Sequence, residues 1–118
     1  MEEKEHGLNV GEDVVASYAA DAVCGTEGIN KLVPAPGITD TIQRNILGRQ
    51  PHHDFEGIKV TNDGSGALTI DVYAAVDYGV KIPQVAWNVQ ENVKKKIESL
   101  TEFSIRAVNI HIMDVVFS

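Results

Sequence analysis

The stretch "PHHDF" at residues 51–55 carries the side chains with the most obvious chemical potential in the chain. His52, His53 and Asp54 supply the imidazole and carboxylate groups that bind metal ions or transfer protons. A metal centre needs three or four converging ligands, however, and adjacent histidines on an extended segment point apart. We therefore interpret the stretch as a polar loop and predict no metal site. A small-molecule or metal-binding protein that uses these three residues is the alternative function.

Other reactive residue types do not assemble into a catalytic pattern. His111 and Asp114 are three residues apart in a predicted strand, and the two-residue period of a strand places them on opposite faces. Cys24 ends a predicted helix, where the negative pole disfavours a thiolate, so we predict a small core residue. The "GSG" at residues 64–66 lacks the Lys-Ser/Thr and the helix of a phosphate loop. We predict no catalytic or cofactor-binding residue, no cofactor and no enzymatic activity.

The single tryptophan, Trp87, lies within the clearest periodic signal of the chain, residues 82–101. At about 100° per residue, the apolar residues of this stretch form one stripe, which predicts an amphipathic helix. The stripe consists of Ile82, Val85, Ala86, Val89, Val93, Ile97 and Leu100. Trp87 falls outside the stripe, and tryptophan is enriched at the energetic centres of interfaces, so it is a candidate partner-binding residue. The alternative is a ring that folds over the stems of Gln84 or Lys94.

Three strands are predicted around this helix from alternating apolar and polar residues. Residues 57–62 and 67–79 flank the turn "DGSG" and form a hairpin, and residues 103–118 form a closing strand. The helix between the last two strands predicts a right-handed crossover with the strands parallel. The sequence leaves open whether the closing strand pairs beside the strand at 67–79 or across the strand at 57–62.

A first helix over residues 10–24, ended by Gly25 and Gly28, completes the predicted architecture. The fold class is α+β, with two layers: two helices packed on one face of a small three- or four-stranded mixed sheet. The other sheet face, called the open face below, stays uncovered. It carries Thr61, Tyr73, Asn109 and His111.

The domain organisation follows from the regularity of the pattern. Residues 1–9 are expected to form an N-terminal tail, and residues 10–118 a single domain. Residues 30–56 are irregular and rich in Pro and Gly, with a short helix predicted over residues 39–47. On the open face, Tyr73 and His111 are further candidate partner-binding residues.

Composition narrows the class of protein. Hydrophobic residues at 43% and charged residues at 23% are typical of a soluble globular domain, and we expect no membrane insertion. The polar start "MEEKEHGLNV" lacks the features of a secretory signal, so we expect a cytoplasmic location. A formal charge of −7 repels nucleic acid, and the run Lys94 to Lys96 is best explained as a solvated helix flank. We expect no nucleic acid partner.

The stretch "VDYGVKIPQVAWNVQENVKKKIESLTEFSIRAVNIHIMDV" resembles the alkaline shock protein family, small envelope-stress proteins of Gram-positive bacteria. The similar features are Tyr78-Gly79 after a strand, Ile82-Pro83 opening a helix, the "VA-x-NVQE" core from Val85, and Asn109-x-His111 in the last strand. The early "VGEDVVASYAADAV" and Gly28-Ile29 are similar to the family's first helix and following strand. Glu102 stands where the family often has glycine, and residues 30–56 match no family pattern.

The resemblance implies a non-enzymatic cytoplasmic scaffold or adaptor of the stress response. Family members self-associate into oligomers and bind protein partners, in some cases a membrane-anchored protein that recruits them beneath the cell envelope. Trp87, Tyr73 and His111 are the residues through which we expect such contacts. The exposed closing strand, which ends in "DVVFS", also predicts edge-to-edge pairing with a second copy.

Overall fold

A computed structural model describes residues 2–35 and 57–117, with side chains from residue 11 onward. Six elements follow one another along the chain. They are helix α1 (Glu2–Cys24), strand β1 (Ile29–Leu32), strand β2 (Ile58–Asn62), strand β3 (Ala67–Asp77), helix α2 (Ile82–Leu100) and strand β4 (Ser104–Val116). The predicted helix at 39–47 and the residues His52, His53 and Asp54 lie outside the described residues.

Strand β3 is the centre of a mixed sheet. β4 runs parallel to β3 and pairs with it along its whole length, from Ala67 to Asp77. β1 and β2 are both antiparallel to β3, but β1 pairs near its end, at Ala74 to Val76, and β2 near its start, at Leu68 to Val72. Because a strand has only two edges, β1 and β2 share the edge opposite β4. The predicted parallel crossover is confirmed, and the closing strand pairs beside β3.

Helix α2 is amphipathic as predicted, and its bounds match the periodic stretch. Pro83 lies in the first turn, where its missing N–H costs no hydrogen bond. The buried residues of the stripe are Val85, Val89, Val93 and Ile97. Ile82 and Leu100 at the two ends are exposed, so the apolar stripe is buried only along its middle.

The turn after α2 explains how Glu102 replaces a glycine. The Thr101 hydroxyl donates to the Ile97 carbonyl at 2.8 Å, and the Phe103 N–H donates to that hydroxyl oxygen at 3.1 Å. Thr101 therefore closes the turn with its own side chain. Within the described residues only glycines have positive φ, so this turn needs no left-handed residue at 102.

Helix α1 starts at Glu2, further toward the N terminus than the Val10 expected from the sequence. Glutamate and lysine have good helix propensity, and the residues before Val10 include Glu2, Glu3, Lys4 and Glu5. The helix packs on α2 and the sheet, and Asn92 of α2 donates to the Thr26 hydroxyl just after α1 at 2.9 Å. The fold is α+β with both helices on one sheet face, as predicted.

The core lies between the helices and the sheet. Leu68, Ile70, Val72, Ala74 and Val76 alternate along β3 and are completely buried under the helices. Val15, Ala19 and Val23 of α1 and the buried stripe of α2 cover them. This face supplies the apolar burial that stabilises the domain.

Two glycines allow close approach of the backbone to neighbouring elements. Gly28 has φ +101°, and a Cβ there would lie 2.6 Å from Val85 Cγ2 of α2. Gly57 has φ +91°, and a Cβ there would lie 2.9 Å from the Tyr73 carbonyl oxygen. Only glycine adopts these conformations without strain and fits the space. Gly28 thus fixes the junction of α1, β1 and α2.

Candidate interaction surfaces

The open face of the sheet carries a polar cluster at its centre. β4 is in register with β3 such that Asn109 pairs with Asp71 and His111 with Tyr73. These four residues therefore project from the same face, opposite the aliphatic core. The sequence prediction that the open face carries Tyr73, Asn109 and His111 is confirmed, and Thr61 joins them through its pairing with Thr69.

Asp71 organises the cluster. Its Oδ1 atom accepts a hydrogen bond from Asn109 Nδ2 at 3.1 Å and lies 3.1 Å from His111 Nε2. The His111 ring stacks on the Tyr73 ring, with centroids 4.4 Å apart and planes 9° from parallel. The Asp71 side chain is 19% exposed and the His111 side chain 40%, so the dyad can be reached from solvent. The stack and the contact with Asp71 restrict the rotation of the His111 ring.

Asp114 lies on the same face as His111, which corrects the expectation from the sequence. The register shifts between Ala74 and Ala75: Ile112 pairs with Ala74, and Asp114 with Ala75. Met113 is thus an extra residue, a β-bulge, and it changes the side on which Asp114 projects. A regular two-residue period predicts opposite faces, and this prediction was wrong because the bulge interrupts the period.

Among the described residues, the cluster around Asp71 does not bring together enough groups for a catalytic or metal-binding site. Within residues 11–35 and 57–117, no three His, Cys, Asp or Glu side chains come together as a potential metal site. His111 and Asp71 alone supply two groups, and Asp71 is already shared with Asn109. The cluster presents hydrogen-bond donors, acceptors and an aromatic stack at the surface.

Cys24 is exposed at the end of α1, so its prediction as a core residue was wrong. Partial desolvation of the thiol raises its pKa, and the nearby Asp21 carboxylate raises that pKa further. The reactive thiolate is therefore scarcer at neutral pH than for an ordinary cysteine. This direction agrees with the expectation that Cys24 is not a nucleophile.

Trp87 is exposed on α2, as its position outside the apolar stripe predicted. Its exposed fraction is 56%, so more than half of its surface is accessible to solvent. Gln90, one turn further on, donates through Nε2 to the Val108 carbonyl of β4 at 3.0 Å. Residues three apart share a flank of a helix, so Trp87 lies on the side of α2 that overlooks β4. It belongs to the helix layer and does not join Tyr73 and His111 on the open face.

A second exposed aromatic pair was missed by reasoning from the sequence. Tyr78 and Phe117 follow the ends of β3 and β4, and their rings stack with centroids 4.3 Å apart. They are 64% and 71% exposed. The Tyr78 N–H donates to the Val116 carbonyl at 2.8 Å, which holds the two chain segments together. The parallel crossover was the signal that could have found this pair, because it aligns the ends of the two strands.

The free backbone edge of β4, called the β4 edge below, divides into two parts. Helix α2 covers the first part: the Glu98 carboxylate accepts from the Ile105 N–H at 2.8 Å, and Gln90 donates to the Val108 carbonyl. From Asn109 onward, none of the described residues of another element pairs with this edge. Exposed apolar side chains lie along the second part, namely Met113, Val115 and Phe117.

The start of β4 is anchored to the β2–β3 hairpin. Arg106 Nη2 lies 2.6 Å from Asp63 Oδ2. The Ser65 hydroxyl and the Ser65 N–H both donate to Asp63 Oδ1, at 2.6 and 2.9 Å. The hydrogen bonds from Ser65, with a smaller contribution from Arg106, lower the pKa of Asp63 below its usual 3.8. This site is structural, because its three side chains satisfy one another.

These features define a small two-layer α+β domain with a β3–α2–β4 crossover and exposed aromatic surfaces. The model of the alkaline shock protein 23 family, which is the alkaline shock protein family and is described as having a cell envelope-related function, matches residues 1–117. The chain belongs to the alkaline shock protein family, so the resemblance seen in the sequence is confirmed.

Several relatives cover most of the chain. The uncharacterized protein YqhY of Bacillus subtilis is 34% identical over 105 residues, which span 89% of this chain and 71% of YqhY. The uncharacterized protein Spy1535 of Streptococcus pyogenes serotype M6 is 30% identical over 112 residues, 91% of this chain and 81% of Spy1535. No solved structure matches the chain significantly. Within residues 2–35 and 57–117, no helix is long and apolar enough to cross a membrane.

Proposed function

We propose that this protein is a non-enzymatic scaffold or adaptor of the cell envelope stress response, acting by self-association and by binding a protein partner. The observation that carries the proposal is the set of exposed or partly exposed aromatic side chains on a well-packed domain. Trp87 lies on the helix layer, Tyr73 stacks with His111 on the open face, and Tyr78 stacks with Phe117. Large exposed apolar groups of this kind typically mark protein interfaces.

The two layers offer two separate surfaces, which suits an adaptor. Trp87 and Tyr73 project from opposite sides of the domain, so one contact leaves the other surface free. The polar cluster around Asp71 supplies hydrogen-bonding groups for specificity, whereas Trp87 supplies apolar area. One surface can serve self-association while the other binds a second protein.

The location that fits this role is the cytoplasmic side of the envelope. The family's cell envelope-related function supports an association with the membrane. We propose that a membrane-anchored protein partner recruits the domain, without insertion of the domain itself. No cofactor, metal ion or nucleic acid takes part in this function. The alternative function, a ligand or metal ion bound by His52, His53 and Asp54, falls on residues outside those that the structure describes and stays a prediction.

Sedimentation velocity over a wide concentration range tests the proposal. Native protein is expected to assemble as its concentration rises. Trp87→Ala and Tyr73→Ala are each expected to weaken assembly or partner binding, because the first removes an exposed ring and the second a partly exposed one. Lys95→Ala is a matched control on α2, since Lys95 is also exposed but presents no apolar surface.

Pull-downs from a detergent-solubilised membrane fraction test the partner with the same variants. A membrane protein captured by native protein and lost with one of the aromatic variants would support the adaptor role. If Trp87→Ala and Tyr73→Ala both leave self-association and every partner affinity unchanged, these residues are not the interface.

A further inference from the structure

We propose that the second part of the β4 edge, from Asn109 to Phe117, pairs antiparallel with the same segment of a second copy of this chain. The inference rests on the proposed self-association and names the surface that performs it. Backbone N–H and C=O groups on a free strand edge are a ready template for another strand. An antiparallel pair of identical strands closes as a two-fold dimer and leaves no further edge of this kind open.

Contacts within the domain select this part of the edge. Gln90 and Glu98 of α2 already occupy backbone groups at Val108 and Ile105, so the first part of β4 is protected. The opposite edge of β3 is taken by β1 and β2. Beyond Asn109 the exposed side chains become apolar, with Met113 43%, Val115 38% and Phe117 71% exposed. No lysine or proline interrupts residues 107–117, although these residues commonly blunt exposed edges.

Like-charge repulsion sets the direction of the pairing. His111 and Asp114 are the only ionisable residues between 107 and 117. A parallel in-register pair would place the two Asp114 carboxylates side by side in a molecule that already carries a net charge of −7. An antiparallel pair with its axis between Ile112 and Met113 places each Asp114 opposite His111 of the other copy. Both residues project from the open face, so they meet on the same side of the extended sheet.

The bulge fits the same register. Met113 has no partner in β3, because Ile112 and Asp114 pair with consecutive residues of that strand. A bulge in one strand usually puts the partner strand one residue out of register. With the axis between Ile112 and Met113, however, each copy contributes one extra residue beside the axis, so the two strands stay in register. The separation of the two Asp114 carboxylates and the residue count therefore favour the same register.

This register also gives Trp87 a role. It places Phe117 of one copy opposite Val108 of the other, whose carbonyl is held by Gln90. Trp87 lies on the same flank of α2 as Gln90, so the Tyr78–Phe117 stack of one copy approaches Trp87 of the other. The exposed aromatic groups at the two ends of the β4 edge thus become parts of one interface.

Sedimentation velocity on native protein, Met113→Lys and Leu100→Lys tests the surface. Met113→Lys places a charge at the centre of the pairing twice per dimer, and we expect the dissociation constant to rise by about tenfold or more. Leu100→Lys adds the same charge at a comparably exposed apolar residue on the helix layer and is expected to dimerise like native protein. Circular dichroism confirms that both variants are folded.

The outcomes separate this inference from the proposed function. Assembly of native protein that Met113→Lys leaves unchanged, or that both lysine variants weaken equally, overturns the β4 pairing and leaves self-association through another surface. A native protein that stays monomeric overturns the pairing too, while binding of a membrane protein partner in the pull-down would still uphold the adaptor role.

Cysteine cross-linking tests the direction of the strands. In a Cys24→Ser background, Met113→Cys is expected to give a covalent dimer with a short bismaleimide, because Met113 lies beside the two-fold axis. Ser104→Cys lies far from that axis and is expected not to cross-link. Cross-linking at both positions would indicate parallel strands, and cross-linking at neither would indicate that the β4 edges do not meet; either result overturns the proposal.

Discussion

The two faces of the sheet are built from alternate residues of the same strands, yet they differ in how their side chains are satisfied. On the covered face, Ile70 and Val72 of β3 are completely buried beneath two helices. On the open face, Asp71 and Tyr73 are partly exposed and contact polar or aromatic residues of β4. Order on the covered face comes from apolar burial, and order on the open face from hydrogen bonds and ring stacking. The open face is therefore ordered without a covering layer and stays available for recognition.

The largest expected difference between the faces is in stability. Ile70→Ala removes buried methyl groups and leaves a cavity, so we expect a loss of about 2–5 kcal/mol in the free energy of unfolding. Thr69→Ala, the adjacent residue on the open face, is expected to change it by about 0.5 kcal/mol or less. Urea unfolding followed by circular dichroism measures both. Equal losses would mean that the open face contributes to the core.

Gly28 and Gly64 test how much close packing against the covered layer adds to the cost of replacing a glycine. Gly28→Ala combines a left-handed φ with a Cβ 2.6 Å from Val85 Cγ2, so we expect a loss of about 1–3 kcal/mol. Gly64 in the hairpin also has positive φ, +89°, but a Cβ there meets nothing within 4 Å. Gly64→Ala is therefore expected to cost about 1 kcal/mol, from backbone strain alone. Thermal unfolding of the two variants compares them. A cost at Gly64 equal to that at Gly28 would show that the contact with Val85 contributes nothing.

A smaller contribution to stability is expected from the contact between Asp71 and His111 on the open face. In a double-mutant cycle of Asp71→Ala and His111→Ala, we expect a coupling free energy of about 0.5–1 kcal/mol, because solvent screens a pair that is partly exposed. Asp71→Ala with Trp87→Ala is the control cycle, since the two residues lie in different layers, and its coupling should be within about 0.3 kcal/mol of zero. Comparable coupling in both cycles would mean that the two surfaces do not act separately.

The elements with strong periodicity were predictable from the sequence. The stripe from Val85 to Ile97 and the alternation in β3 both extend over many residues, so the helix, the strand and their parallel crossover were predicted correctly. The covered and open faces followed from the same alternation, and with them the positions of Tyr73 and His111 on one face. Trp87 was predictable as an exposed residue because it departs from a regular stripe.

Features that depend on pairing between distant segments were not predictable. The bulge at Met113 comes from the register between β3 and β4, and no residue type in β4 marks it, so the side of Asp114 was predicted wrongly. The exposure of Cys24 depends on where α1 ends relative to the sheet. Each is a tertiary effect that a local period does not contain.

The hairpin site at Asp63 belongs to neither face and is expected to give the smallest effect, visible only in acid. Its pKa is lowered in the folded protein, so its contribution to stability is present above the ordinary carboxyl pKa and is lost as pH falls through the lowered value. Ser65 supplies the larger share of this lowering, ahead of Arg106. Ser65→Ala removes the hydroxyl bond, the largest single contribution, and keeps the Ser65 N–H bond, so carboxyl NMR titration should show the Asp63 pKa rising part of the way toward its ordinary value. An unchanged Asp63 pKa in Ser65→Ala would mean that the Ser65 hydroxyl does not hold this carboxylate ionised.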